Sequence, residues 1–226
     1  MVLRIQIMKV LKRNNVRGNF MYVIKKKWPI IIFCWILGLA SLPVVAAEDP
    51  IITLQTVTQR MMNELKKHHD EIHRKPGKIY ALVDHIIIPH VDFSEMARWV
   101  VGRNAWMLAD AETRKSFVQE FKTLVVRSYA RSLLEYTDQE IEFLPMREPV
   151  GNQKRIQIQS LIKERGKSPI HMNYNLIHEG NKWMVYDIII EGVSLMQGYR
   201  AQFADDIRSG GITLVIEKMH QRNLEN

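Results

Sequence analysis

The chain has 226 residues, with 32 Lys or Arg against 24 Asp or Glu and a formal net charge of +8. The first 47 residues hold eight basic and no acidic residues, so 24 of each sign remain after them and the remainder is formally neutral. That neutrality removes the electrostatic basis for nucleic-acid binding, and the single cysteine, Cys34, excludes an internal disulfide.

The first 47 residues have the layout of an export signal. Their basic residues precede a mostly apolar run over 28–45, and small residues follow up to Ala47. That order is typical of a secretory signal peptide, whereas a membrane-spanning helix needs ~20 apolar residues. We predict a signal peptide over 1–47, removed after Ala47, and export of 48–226 as a single domain to the periplasm of a Gram-negative bacterium. A retained membrane anchor is the alternative, and translation from Met21 is a separate hypothesis.

The first half of the exported part shows helical periodicity. Apolar residues recur three and four positions apart, and the breaks fall at proline, glycine and capping residues. Asp92 and Glu95 form a capping box for a helix that ends at Gly102 as a left-handed cap, and Asp110 begins the longest helix. The other helices are predicted over 51–74, 78–87 and 111–136.

The second half changes to strand patterns joined by turns. Alternating or β-branched segments predict strands over 140–144, 156–163, 170–177 and 183–190. Helices return over 193–208 and 212–222, on either side of Gly210-Gly211. Helices, then hairpin-linked strands, then helices predict an α+β fold with a four-stranded antiparallel sheet. The domain would divide into a helical part over 48–137, a sheet over 138–190 and closing helices over 191–226.

Two sequence blocks resemble a known family. The first runs from Val91-Asp92-Phe93 to Val101-Gly102 and is followed by Trp106. The second is W-x-V-Y-D-x-x-I-E-G-V-S-L followed by Y-R-x-Q-F, formed by Trp183, Val185, Tyr186, Asp187, Ile190, Glu191, Gly192, Val193, Ser194, Leu195, Tyr199, Arg200, Gln202 and Phe203. Together they are similar to the periplasmic phospholipid-carrier family, the Mla-type or toluene-tolerance substrate-binding components.

The resemblance implies a fold, a function and partners. The fold would be a curved antiparallel sheet of nuclear-transport-factor type, packed by the N- and C-terminal helices. The protein would carry phospholipid between an outer-membrane lipoprotein complex and an inner-membrane ABC transporter with a lipid-channel domain, without catalysing a reaction and without a cofactor. We expect a monomer.

The apolar stripes around the last strand are the candidate lipid-binding site. Tyr186, Ile188 and Ile190 are expected to share one face of that strand, and a plain packed core is the simpler interpretation of any single residue. Met and Tyr suit a lipid lining because Met adapts its shape and Tyr offers a polar tip. The predicted lining comprises Tyr129, Leu133, Tyr174, Leu176, Tyr186, Ile188, Ile190, Val193, Met196 and Tyr199.

Charged groups at the end of the last strand admit two interpretations. Asp187, Glu191 and Arg200 are predicted to form a structural Arg–carboxylate group, since the guanidinium fork matches carboxylate geometry. The alternative function is a small periplasmic enzyme that uses Asp187 with a histidine as acid and base. A closed interaction module without a lipid cavity is the third hypothesis.

Two further groups stand out in the helical part. His69 and His73 are four residues apart, a spacing that metal sites use, but no third ligand is recognisable and we predict no metal site. Trp99 and Trp106 lie near Gly102 and could face a partner, although packing between helices is the simpler interpretation.

Overall fold

The computed structural model describes residues 49–135, 139–146 and 148–225. The predicted signal peptide over 1–47, with Cys34 and Met21, lies outside the described residues. The helices are α1 (Pro50–Lys67), α2 (His69–Arg74), α3 (Lys78–Ile86), α4 (Phe93–Val101), α5 (Arg103–Leu108), α6 (Ala111–Tyr129) and α7 (Leu195–Glu225), with 3-10 turns at Ile88–His90 and Ala130–Glu135. α7 is kinked at Gly211, where φ 70° and ψ −166° are not helical, so the break predicted at Gly210-Gly211 is present. The strands are β1 (Glu140–Phe143), β2 (Arg155–Lys163), β3 (Ile170–Glu179), β4 (Lys182–Ile190) and β5 (Val193–Ser194).

The first predicted helix is interrupted in the structure. Asp49 caps its start, because the carboxylate accepts hydrogen bonds from the backbone N–H groups of Ile51 and Ile52 at 2.9 and 3.3 Å. The continuous helix predicted over 51–74 is wrong, since His68 leaves helical geometry at φ −108° and ψ 16° and separates α1 from α2. The His68 ring lies 3.3 Å from both Glu64 and Glu71, so it bridges the two helices at the break.

The N-terminal caps that Asp92 and Asp110 form at α4 and α6 are confirmed, but Glu95 does not complete a capping box, because Asp92 N donates to Val185 O at 2.9 Å. The Asp92 carboxylate accepts from Glu95 N at 2.8 Å, and that of Asp110 accepts from Thr113 N at 2.7 Å. At Gly102 the chain adopts φ 82° and ψ 154°, so φ is positive, as glycine allows, but ψ lies outside the left-handed helical region that was predicted. The chain then enters α5, a six-residue helix that the sequence pattern did not predict.

The sheet is antiparallel throughout, with the strands in the order β1-β2-β3-β4-β5. The four predicted strands are present, and the fifth is a two-residue strand where a helix was expected to begin. Glu191 and Gly192 both have positive φ, at 48° and 82°, which matches the two-residue type I′ hairpin that joins β4 to β5. The helical part meets the sheet at Val91, which forms a parallel bridge to Val185.

Three apolar clusters form the core. One joins α4, α6 and α7 around Phe117, Phe121 and Val215. A second joins α1, α2 and α3 around Met61 and Ile79. The third covers one face of the sheet and includes Leu54 of α1, so the first helix packs on the strands; its buried members are Leu54, Ile158, Leu176, Trp183 and Val185.

The fold class is confirmed: helices from both ends of the chain pack on an open antiparallel sheet. All three clusters lie within one compact unit, Ala47–Asn226. Within the described ranges, no helix is both long and apolar enough to cross a membrane.

Candidate functional site

A β-bulge at Tyr186 decides which side chains of β4 face inward. Asn175 pairs with Asp187 and Leu176 with Val185, so Tyr186 is the extra residue of β4 at this point. An extra residue reverses the alternation of side chains, and the Tyr186 ring therefore packs with the helices while Ile188 packs on the sheet cluster. The expectation that Tyr186 shares a face with Ile188 and Ile190 is wrong.

The sheet face that carries Ile188 is apolar across three strands. Ile158, Tyr174 and Ile188 are aligned by the strand register, and Ile156, Leu176 and Val185 form the next row. We call these six residues the inner face. Ile158 and Leu176 are fully buried, while Ile156, Tyr174 and Ile188 are only half-buried.

Tyr174 brings a polar group into this apolar face. Its ring stacks on Phe143 with centroids 5.9 Å apart. Burial raises the pKa of the Tyr174 hydroxyl, and a hydrogen bond with Ser160 partly opposes that rise. The hydroxyl is therefore neutral at neutral pH, which suits contact with a hydrocarbon chain.

The other predicted lining residues are distributed over the molecule. Met196 and Tyr199 are buried in the helical cluster, where Tyr199 meets Phe121 edge-on at 5.1 Å. Leu133 packs against the cluster of the first three helices. Ile190 is half-buried opposite Met172 and Val193, whereas Tyr129 and Val193 are 41% and 67% exposed. Of the ten predicted residues, the structure brings only Tyr174, Leu176 and Ile188 together on the inner face.

A pocket lies beside the inner face at the edge of β2. Its volume is about 240 Å³, below the ~300–1,000 Å³ of small-molecule sites, and it contains none of the ten predicted residues. It is lined by Leu144, Pro145, Met146, Glu148, Val150, Gln153, Ile156, Gln157 and Gln159. The only sequence signal for it was the turn-rich link before β2.

Asp187 fastens the sheet to the start of α7. Its Oδ2 accepts from the Ser194 hydroxyl at 2.7 Å and from Asn175 Nδ2 at 3.4 Å, and its Oδ1 accepts from Met196 N at 3.2 Å. The residue is 7% exposed. Both carboxylate oxygens already accept hydrogen bonds from the protein. Asp187 therefore has a structural role, which is to connect the end of β4 to the start of α7.

Glu191 and Arg200 do not join Asp187. The Glu191 carboxylate accepts from His171 N, and the Arg200 guanidinium lies 5.9 Å from the centroid of the Trp99 ring. Among the described residues, no ion pair connects Arg200 to either carboxylate. The predicted Arg–carboxylate group is therefore not formed: Glu191 binds the backbone of β3, and Arg200 lies against Trp99 of α4.

A charge cluster around the buried Glu95, which sequence reasoning missed, links α4 to the sheet. Glu95 is 7% exposed and pairs with both Arg98 and Arg155, at 2.6 and 2.5 Å. Arg155 also lies over the Tyr186 ring, 5.1 Å from its centroid. The hydrogen bond from Arg98 to Glu95 raises the pKa of the guanidinium. The bulge thus places the Tyr186 ring beside Arg155, which Glu95 of α4 holds in position.

The histidines of the helical part form local contacts. The rings of His69 and His73 are 4.4 Å apart, and His69 Nδ1 lies 3.1 Å from Asp70. In the part of the chain that the structure describes, no group of three His, Cys, Asp or Glu side chains is arranged to hold a metal ion.

Comparison with known proteins places these features in a family. The family described as MlaC protein matches residues 55–221. The chain is 26% identical to the intermembrane phospholipid transport system binding protein MlaC of Haemophilus influenzae, over 87% of this chain and 92% of that protein. It is also 26% identical to toluene tolerance protein ttg2D of Pseudomonas putida, over 76% and 80% of the two chains.

A solved structure has the same fold. The phospholipid-binding protein from Ralstonia solanacearum, determined in complex with a phospholipid, superposes with a TM-score of 0.71 at 28% identity, over 79% of this chain and 98% of that one. Because the family match extends over most of the sequence, from 55 to 221, the chain belongs to the MlaC family.

Proposed function

We propose that this protein is a periplasmic phospholipid carrier that holds acyl chains against the inner face of its sheet and leaves the headgroup in water. Support comes from its family and from the Ralstonia solanacearum protein of the same fold, which was determined with a bound phospholipid. The signal peptide proposed for 1–47 would deliver the chain to that compartment.

One observation carries the proposal: the apolar cluster on the sheet is incompletely covered. It has five buried members, but seven further apolar residues around it are only partly buried. Soluble proteins seldom leave a large contiguous apolar surface open, and such a surface usually binds something. Each methylene removed from water contributes ~0.8 kcal/mol, so an acyl chain is a suitable ligand for it.

The described pocket does not by itself provide the space for a lipid. The pocket of about 240 Å³ at the edge of β2 is too small for a two-chain phospholipid. Ile51 and Leu54 of α1 pack on the inner face, and we infer that acyl chains replace these contacts when lipid enters. The start of α1 would therefore move away from the sheet while the strand register stays unchanged.

The finer assignment follows the resemblance. The carrier would exchange phospholipid with an outer-membrane lipoprotein complex and an inner-membrane lipid-channel ABC transporter, as a monomer without a cofactor. A carrier needs only to bind and release its lipid, and Asp187 has the hydrogen bonds of a structural residue rather than of a free acid or base.

Two neighbouring residues of β4 allow a matched test. Ile188 packs on the inner face, whereas Ile189 points to the opposite face, and both are half-buried. Ile188→Glu should abolish the phospholipid that co-purifies with the protein, because it places a carboxylate where an acyl chain is expected. Ile189→Glu adds the same charge one residue away and should retain the lipid.

The measurement is native mass spectrometry of each variant recovered from a Gram-negative periplasm, with circular dichroism to verify folding. Equal lipid occupancy in the two variants would contradict the proposed site. Wild-type protein that never carries lipid would contradict the carrier function itself.

A further inference from the structure

A second exposed apolar surface lies where α4 joins α5, and it shares no residue with the inner face. Met107 and Leu108 are 67% and 89% exposed at the end of α5, and Trp99 of α4 is 37% exposed. Single exposed apolar residues are common on protein surfaces. Three of them within ten residues form a group, and such a group indicates a binding surface. We call Trp99, Arg103, Met107, Leu108 and Arg200 the α4–α5 tip.

Contacts join α4, α7 and the start of α5 within this tip. Arg200 of α7 lies over the Trp99 ring and against Gly102, so the cation and the aromatic ring meet at the start of α5. Arg103 and Met107 are four residues apart in α5 and therefore lie on the same side of that helix. Arg200, Trp99 and the start of α5 thus lie together, and Met107 and Leu108 lie at the end of the same six-residue helix.

Hydrogen bonds from α6 hold the backbone of the tip in position. Arg114 of α6 donates hydrogen bonds to the backbone carbonyls of Trp106 and Met107, at 2.9 and 3.3 Å. Its guanidinium lies 5.7 Å from the centroid of the Trp106 ring. These bonds satisfy the carbonyls at the end of a six-residue helix and keep Met107 and Leu108 directed into water.

Two of the five tip residues, Arg103 and Arg200, are basic and none is acidic. Over 93–109 the only acidic residue is Glu95, which is buried and already paired with Arg98 and Arg155. Arg103 and Arg200 are exposed and have no carboxylate within ion-pair distance among the described residues. Beyond Leu108, the carboxylates of Asp110, which caps α6, and Glu112 are exposed, so the positive charge of the tip lies on the side of Arg103 and Arg200.

We propose that the α4–α5 tip docks on an anionic phospholipid surface, with Met107 and Leu108 inserted at the level of the headgroups. Trp at an interface, aliphatic side chains below it and arginines beside phosphates are the chemistry of peripheral membrane contact. This site is separate from the inner face. It would give the proposed carrier a surface for contact with the membrane.

The test uses the chain from Glu48 onward and flotation with vesicles of phosphatidylglycerol or of phosphatidylcholine. We expect the wild type to float with the anionic vesicles and to be released as ionic strength rises. Met107→Asp with Leu108→Asp should lower the partition coefficient at least ~10-fold, because two apolar side chains no longer insert. Arg103→Glu should lower it for phosphatidylglycerol alone.

The matched control is Ile52→Asp with Leu224→Asp. These residues are 60% and 74% exposed outside the tip, so the control removes similar apolar surface and adds the same charge. Equal loss in the two double variants overturns the proposal. No binding of the wild type to either vesicle also overturns it and assigns the surface to a protein partner. Lipid occupancy by native mass spectrometry should be unchanged in the tip variant, which separates this result from failure of the carrier function.

Discussion

The corner between β4 and α7 provides the sharpest stability prediction. Asp187→Asn keeps the size of the side chain and removes its charge. The remaining carbonyl oxygen can still accept from Met196 N, but the new amide group meets two donors, the Ser194 hydroxyl at 2.7 Å and Asn175 Nδ2 at 3.4 Å. The variant therefore places donors against donors in a buried site.

The magnitude follows from these distances. The bond from Ser194 is short and ends on a charged, buried acceptor, so its loss costs about 1.5–3 kcal/mol, whereas the 3.4 Å bond contributes little. Removing a negative charge near the start of α7 adds ~0.3–1 kcal/mol. Together these give about 2–4 kcal/mol, or a decrease in Tm of about 5–15 °C for a domain of this size.

Thermal unfolding monitored by circular dichroism measures the effect. Asp205→Asn is the control, since Asp205 forms only an exposed pair with Arg208 at 3.0 Å and its loss should change Tm little. If Asp187→Asn and Asp205→Asn melted within about 2 °C of each other, the assignment of Asp187 as the main link of this corner would be wrong.

Local sequence signals predicted the elements of the fold well. Caps are local, and the bonds expected from Asp92 and Asp110 are present because a carboxylate two or three residues before a free N–H needs no distant partner. The four main strands and the hairpins between them were also set by short-range patterns. By contrast, the break of the first helix at His68 has no proline or glycine to mark it.

The candidate site was harder to predict because it depends on register and on distant partners. In β4 nearly every residue is apolar, so alternation could not show that Tyr186 is a bulge; its pairing with β3 decides this. Glu95 was expected to complete a capping box, but its carboxylate pairs with Arg155, sixty residues away. No spacing rule relates two residues at that separation. The sequence therefore indicated the right strand and the wrong face for one of its residues.

Two smaller changes test the turn and the helical cluster. Gly192 has φ 82° in the β4–β5 hairpin and open space where a Cβ would lie, so Gly192→Ala should cost about 1 kcal/mol in urea unfolding through backbone strain alone. A cost near zero would contradict the positive φ. For Tyr199, burial, opposed by a hydrogen bond to Ser128, raises the pKa of the hydroxyl from 10.0 to about 12. The folded state then retains the proton between pH 10 and about 12 while the unfolded state releases it. Stability from this group is complete below pH 10 and decreases as pH rises through that window, so wild type should lose more unfolding free energy than Tyr199→Phe. Parallel pH profiles of the two proteins in urea unfolding would show that the hydroxyl of Tyr199 is not buried in the native state.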